Sequence, residues 1–253
     1  MADQELQQAD GPHGPRSFVD LHAHSSASFD SLADPRRMVE RARRLGLTHL
    51  AITDHERIDA AQHAARLAGD DLQIIVGEEI RTRDGDLIGL FLKEAVPPGL
   101  SAPETAAAIR AQGGLVGLPH PFDSFRSSGG RRAGAGEQAL GALAAIVDFV
   151  ETHNARAYGD ANPSAAAFAT RHRLPGVASS DAHSIMELGI ASTVLPGPFS
   201  TAQELRTLLP EAELLTGRAT YYVRLWTPIA KVVQRLRGNR RVTPDRLAGQ
   251  GSA

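Results

Sequence analysis

The stretch Phe18-Val19-Asp20-Leu21-His22-Ala23-His24 decides how the rest of the chain is read. A short apolar run passes without a break into two histidines spaced two apart. Side chains on a strand alternate with period two, so His22 and His24 share a face and two imidazoles there can chelate one ion. Such a pair alone fits a packed or surface position as well. What surrounds it along the chain separates the two readings.

Five further apolar runs end in the same way. His49–Ile52 leads into Thr53-Asp54-His55, Gln73–Val76 into Gly77-Glu78-Glu79, and Leu115–Leu118 into Pro119-His120-Pro121. Ile146–Val150 leads into Glu151-Thr152-His153-Asn154, and Val177–Ser179 into Ser180-Asp181-Ala182-His183. Loops are polar in general, which accounts for the acids at these junctions but poorly for the histidines. With Phe18–Leu21 and Leu87–Leu92 the candidate strands number seven.

Helical spacing fills most of the gaps. Pro35–Leu45 carries Met38, Val39, Ala42 and Leu45 on one face, Pro103–Ala111 starts with Pro at the first turn, and Asn162-Pro163 opens another helix with Asn162 as N-cap. Strand-then-helix repetition predicts a mainly parallel sheet. Leu87–Leu92 follows Gln73–Val76 too soon for a crossover and reads as a hairpin through Arg83-Asp84-Gly85. Seven strands predict an α/β fold closed as a distorted (β/α)7 barrel, with an open doubly wound sheet as the second choice. In a barrel of this kind the carboxyl ends of the strands converge on one mouth, where the sites lie.

Composition narrows the chemistry. The 253 residues carry 27 basic and 29 acidic side chains, so the net charge of −2 advertises neither nucleic acid nor membrane. With no cysteine there is no disulfide, thiolate-bound zinc, iron–sulfur cluster or Cys nucleophile. No apolar run approaches a membrane span, and residues 1–16 lack the basic-then-apolar order of a secretory signal, so the expectation is a disordered leader and a cytoplasmic protein. Residues 17–220 are expected to form the barrel. Residues 221–253 hold Arg224, Lys231, Arg235, Arg237, Arg240, Arg241 and Arg246 against Asp245, with Ile229, Val232, Val233 and Leu236 on one helical face. They read as a docked helix with a solvated basic tail, and anion or nucleic-acid contact is the second reading.

Gathering His22, His24, Asp30, His55, Glu79, His120, Asp181 and His183 at one mouth sets carboxylates against one another unless cations intervene. One ion needs about four protein ligands. Eight candidates therefore point to two or three ions sharing ligands, and His with carboxylate suits Zn, Mn or Fe.

In order, DLHAHSSASFDS at 20–31, AITDH at 51–55, GEE at 77–79, LPHP at 118–121, ETHN at 151–154 and SSDAH at 179–183 resemble the motifs of the polymerase and histidinol phosphatase (PHP) family. The resemblance covers Ser17 to about Leu195. It implies a distorted seven-stranded barrel with a multinuclear metal centre. It assigns His22, His24, Asp181 and a bridging Glu79 to one ion, with Glu78 outside the ligand set. Asp30, His55 and His183 go to a second ion, and His120 to a third. Asp86 stands where relatives often carry His, which leaves two or three ions open. Glu79, Asp181 and His183 fall at the reacting centre, with Glu151 and Asn154 as supports. Asp54 is expected to orient His55 or cap a helix. His153 points away, and His13, His49, His63 and His172 lie outside the site.

A cluster of divalent ions without a P-loop or a G-x-S-x-G elbow implies hydrolysis by a metal-bound hydroxide, and phosphate esters suit several cations best. Arg126 and Arg156 are the candidate substrate-binding residues; Arg131 and Arg132 share the loop with Arg126. The resemblance implies a stand-alone phosphoesterase for small phosphomonoesters, nucleoside bisphosphates or a nucleic-acid end. An amidohydrolase-type C–N hydrolase and a non-catalytic metal-stabilised interaction domain are the alternatives. Neither substrate choice nor oligomeric state is spelled out by the residues.

Overall fold

Nine strands form one mixed sheet in a computed structural model that describes residues 10–11, 14–123, 137–220 and 226–242. In chain order they are β1 (Ser17–Asp20), β2 (His49–Ile52), β3 (Gln73–Arg81), β4 (Asp86–Leu90), β5 (Leu115–Leu118), β6 (Phe149–Asn154), β7 (Gly176–Ser179), β8 (Ser192–Leu195) and β9 (Glu213–Leu215). The helices are α1 (Pro35–Arg44), α2 (Asp59–Leu67), α3 (Ala102–Ala111), α4 (Glu137–Ala144), α5 (Ala161–His172), α6 (Ala202–Leu208) and α7 (Trp226–Leu236). Of the expected leader, residues 1–9 and 12–13 lie outside the described residues. Asp10–Gly11 pairs with Gly14–Pro15 in a two-residue antiparallel ladder.

The strands follow the order β9-β8-β1-β2-β3-β4-β5-β6-β7. This corrects the seven-stranded, mainly parallel expectation: four neighbouring pairs are parallel and four antiparallel. β3 and β4 form the expected hairpin, so β4 runs backwards and its first residue, Asp86, lies at the mouth. The sheet nearly closes. Beyond β1 and β7 a parallel bridge joins Ala23 to Ala182, with His24 N donating to Ala182 O at 2.8 Å and Asp181 N to His22 O at 2.8 Å. Thr193 of β8 seals the gap by accepting from Ala178 N at 3.0 Å and donating to Ala178 O at 2.9 Å.

Three further boundaries differ from the sequence expectation. β3 continues past Val76 to Arg81, which sets Glu79 inside a strand rather than after one. The run from Ile146 becomes a strand only at Phe149, because Ile146 N closes the turn after α4 onto Leu143 O and the Asp148 carboxylate accepts from Val116 N. Asn162 does not cap α5; its side chain clamps the Asn154 backbone, accepting from N at 3.0 Å and donating to O at 3.1 Å.

Buried side chains fill the barrel and the layer under the helices. Val19, Leu21, Ala51, Ile75, Ile88, Leu90, Leu115, Phe149 and Val177 pack inside, alternating along their strands with residues that face the helices. Burying a Val, Leu, Ile or Phe contributes about 1.5–3 kcal/mol each, so this interior is the main source of stability. Gly117 is needed here: a Cβ on it would sit 2.3 Å from the Phe149 ring of the neighbouring strand.

α7 docks by a different face from the expected one. Ile229, Val232 and Leu236 are exposed, while Ala230 and Gln234 are buried. Gln234 explains the choice: its Nε2 lies within 2.6–3.0 Å of the carbonyls of Ser26, Ser28 and Ser31, which a leucine could not satisfy.

Candidate metal centre

The carboxyl ends of β1, β2, β5 and β7, the body of β3 and the first residue of β4 meet at one mouth. All eight expected ligands are there, and seven are buried; His55 is half-buried. His22 and His24 point the same way, with their Nε2 atoms 3.0 Å apart. Glu79 Oε2 lies 3.4 Å from His22 Nε2 and 3.3 Å from His24 Nε2. Asp181 Oδ1 lies 3.6 and 3.4 Å from the same two atoms.

These separations match an ion site. Tetrahedral coordination with bonds of about 2.0–2.1 Å places ligand atoms about 3.3 Å from one another. The imidazole geometry agrees. His22 Nδ1 is 3.1 Å from Glu151 Oε1, which fixes the proton on Nδ1 and turns the Nε2 lone pair inward towards His24. Two inward ring nitrogens at this distance need a cation or a proton between them. Burial disfavours charge on His22, yet Glu151 and Glu79 overcome it and raise the ring to about 10. The same field favours a divalent ion.

A second group adjoins the first. Asp30 Oδ2 is 3.4 Å from His55 Nε2 and 3.3 Å from His183 Nε2, with His24 close by. His183 Nδ1 donates to Asp181 O at 2.8 Å and so leaves Nε2 as the free lone pair. Burial and the Arg156 charge hold this ring well below the ordinary imidazole range, which keeps it neutral and fit to ligate. Glu79 links the groups: Oε2 also lies 3.3 Å from His55 Nδ1, and Oε1 lies 3.3 Å from His120 Nε2. Burial alone would raise the Glu79 carboxyl. His55, His120, His22 and His24 reverse that and hold it well below the usual range.

The supports are as specific as the ligands. Glu151 Oε2 accepts from His120 N at 2.8 Å and from Asn154 Nδ2 at 2.9 Å, and Asn154 Nδ2 also reaches Asp181 Oδ2 at 2.9 Å. Asp54 neither orients His55 nor caps a helix; it takes Ser25 N and Ser25 Oγ, both at 2.6 Å. Glu78 stands outside the His and carboxylate cluster and accepts from Val96 N, and burial pushes it up to about 8. His153 turns outward to Gly217 O. His120 and Asp181 have φ of 26° and 51°, and Glu56 has 55°, left-handed conformations costly for non-glycine residues and concentrated here at the mouth.

Several contributors carried no signal in the sequence. Asp20 accepts from Ser180 N and Gly189 N, joining β1 to the Asp181 turn. Ser31 Oγ reaches the carbonyls of both His24 and His183. Glu187 Oε2 accepts from His183 N at 3.1 Å and Oε1 pairs with Arg156. Arg156, which the sequence did single out as a substrate-binding candidate, is buried and paired with Glu187 and Thr227. From beyond α7, Arg241 reaches back to pair with Glu56 at 2.9 Å and Asp86 at 3.6 Å. Arg126, Arg131, Arg132, Arg224 and Arg246 lie outside the described residues. Lys93 and Lys231 are both exposed, so neither bridges ions.

Buried ring nitrogens of His24 (Nδ1), His55 (Nδ1) and His120 (both) have no hydrogen-bond partner among the described residues. Unpaired donors and acceptors of this kind are what ions satisfy. A nearly closed α/β sheet with clustered His, Asp and Glu at its mouth is thus a barrel whose mouth is compatible with a multinuclear metal site.

Comparison with known proteins gives that class a family. The PHP domain model matches residues 20–124 and the PHP-associated model residues 159–213. Two uncharacterised proteins of Methanocaldococcus jannaschii are each 36% identical. One match spans 125 residues (45% of this chain, 73% of the relative) and the other 176 residues (68% of each). The chain belongs to the PHP family. It is also 30% identical over 123 residues to a 5'-3' exoribonuclease of Haemophilus influenzae, covering 43% of this chain and 44% of that protein.

Among solved structures, a two-domain Bacteroides vulgatus protein containing a predicted PHP-like metal-dependent phosphoesterase superposes with a TM-score of 0.69 at 19% identity, covering 86% of this chain and 69% of that one. The lesion-specific endonuclease of Pyrococcus furiosus does so with 0.60 at 18%, covering 79% and 57%. No described helix is long and apolar enough to cross a membrane.

Proposed function

We propose that the chain is a metal-dependent phosphoesterase that hydrolyses a small phosphomonoester, a nucleoside bisphosphate or the end of a short nucleic acid. One observation carries the reading: the Glu79 carboxylate is shared, one oxygen facing His22, His24 and His55 and the other His120. A carboxylate used on both oxygens is how neighbouring cations are held at bridging distance. The ions, Zn, Mn or Fe and two or three in number, supply acidity to a water and positive charge to phosphate oxygens when bound.

The chain's own groups hold that chemistry in place. His22, His24, Glu79 and Asp181 face one position; Asp30, His55 and His183 face the next. Glu151 and His183's own turn fix which ring nitrogen points inward. Asn154 fixes Asp181 by one oxygen and so directs the other to the centre. Glu79, Asp181 and His183 are assigned to the reacting centre in this reading, supported by the carboxylate oxygens of Glu79 and Asp181 facing the same ring nitrogens of His22 and His24. Arg156 is given a supporting role here, since burial first and its charge second hold the His183 ring below the ordinary imidazole range. Support also comes from the kinship with an exoribonuclease and from fold similarity to an endonuclease and a phosphoesterase.

The test is elemental analysis of the purified protein with release of phosphate from an aryl phosphate and a nucleoside 3',5'-bisphosphate and of phosphate or nucleotide from a short 5'-phosphorylated RNA, with and without added manganese. Metal-dependent release that His22→Ala abolishes is the expected result. A metal-loaded protein that releases neither product from any of the three rejects the reading.

A further inference from the structure

One wall of the mouth differs from the rest. Beside His183 a cavity of about 370 Å³ opens between Leu32, Ile185, Met186, Trp226 and Ala230, with Arg37 on its lining. Ligand pockets start at about 300 Å³. The walls are apolar, yet they share His183 with the ion cluster.

Trp226 and Met186 are 47% and 69% exposed, large apolar groups that folding has not covered. They are not loose. Next to Trp226, Thr227 Oγ1 accepts from Arg156 Nη2 at 2.7 Å, and Arg156 is paired with the buried Glu187. Glu187 in turn accepts from His183 N and from Ser184 Oγ at 2.9 Å. Two turns further on, Gln234 is fastened to three carbonyls of the 26–31 segment. A chain of buried polar contacts thus holds the start of α7, which carries the indole, against the turn that carries His183.

We propose that this cavity is a subsite for the aromatic base of a nucleotide whose phosphate faces the ion cluster, with the Trp226 indole as the stacking surface. The proposal rests on the phosphoesterase reading and narrows its substrate class. Arg37 apart, the walls offer a phosphate little to bind, whereas an indole and a polarisable thioether suit a flat ring. Stacking on an indole is tolerant of base identity, because every base has a π-face. The Arg37 guanidinium supplies donors for the polar edge of such a ring.

Trp226 is the single tryptophan of the chain, so its emission reports the subsite directly. Metal-loaded protein is titrated with AMP, a 5'-phosphorylated oligoadenylate, ribose 5-phosphate and inorganic phosphate. AMP quenches the emission, and ribose 5-phosphate and inorganic phosphate leave it unchanged. A matching response to the oligonucleotide assigns the subsite to nucleic-acid ends; a response to AMP alone assigns it to free nucleotides. Trp226→Ala lowers kcat/KM for the nucleotide relative to ribose 5-phosphate about tenfold, mainly through KM, and Trp226→Phe restores most of it. Emission that ignores AMP, or follows inorganic phosphate equally, overturns the proposal. So does emission that changes only with protein concentration, which would mark the face as a contact between two copies. Failure of the parent reading looks different: neither ester is hydrolysed, whatever the fluorescence does.

Discussion

Two corners of the same mouth hold buried carboxylates and neutralise them in different ways. At one, Asp30, Glu79 and Asp181 face His22, His24, His55 and His183. At the other, Glu56 and Asp86 face the guanidinium of Arg241. Arginine stays charged at every accessible pH and cannot be exchanged. Imidazole surrenders its proton and offers a lone pair instead. The first corner is therefore built to exchange its positive charge with the solvent, and the second carries a permanent one. The difference separates what the site uses from what holds it together.

The contrast breaks first at the ligands. His22→Ala is expected to remove bound metal and to lower turnover beyond the about 10–100-fold that loss of a supporting partner costs. It should also erase the drop in Tm that a chelator causes in the unaltered protein, as mass action requires when the ion binds only the folded state. Retained metal with full turnover would contradict the assignment.

Next comes Arg241. Removing one member of a buried pair costs about 3–5 kcal/mol, and an Arg241 side chain that is 17% exposed sets the expectation for Arg241→Met at about 2–3 kcal/mol. That loss should be the same with and without chelator, and Glu56→Gln in the same chain should recover part of it. A loss seen only in the metal-loaded protein would show the two corners to be one.

Asn154→Ala sharpens the picture from inside the first corner. It leaves all eight ligands in place and frees Asp181 Oδ2 and Glu151 Oε2 from their common donor. Metal affinity by calorimetry should fall about 10–100-fold with little change in stability after chelation.

Glu78 tests the comparison through pH, because its folded value of about 8 lies above the ordinary 4.5. Between those values the unfolded chain gives up the proton that the folded one keeps. Stability should then fall as pH rises from 4.5 through 8, and Glu78→Gln should flatten that slope in urea titrations. An unchanged slope would show that Glu78 is already ionised in the folded protein.

Seven of the eight ligands were legible because each lies within or just past an apolar run of strand character, where residue type and position reinforce each other; Asp30, nine residues beyond Leu21, rested on the family motif. The family motifs placed them in order. β8 and β9 were not legible. Ser192 and Thr193 look like loop residues until Thr193 is seen bonding both backbone groups of Ala178, and Glu213–Leu215 gains its pairing only from the β8 edge. Asp20, Glu187 and Arg241 escaped for a related reason. Asp20 meets Ser180 across 160 residues, Glu187 meets Arg156 across 31 and Arg241 meets Glu56 across 185, and no local pattern encodes such meetings. The docked face of α7 was misjudged because periodicity rewards Ile229 and Val232, whereas the carbonyls of Ser26, Ser28 and Ser31 called for Gln234.

The position of β1 in the sheet bears on how the protein is made. β1 is synthesised first of the nine strands, yet it sits between β2 and β8, and its outer edge is covered only by Ser192–Leu195. A nascent chain that has emerged as far as residue 175 carries six of the eight ligands but has an open strand edge and lacks Asp181 and His183. Open edges invite pairing with other chains. Both ligand groups thus stay incomplete until nearly the whole barrel has left the ribosome, and the late-made β8 covers the edge of the earliest strand.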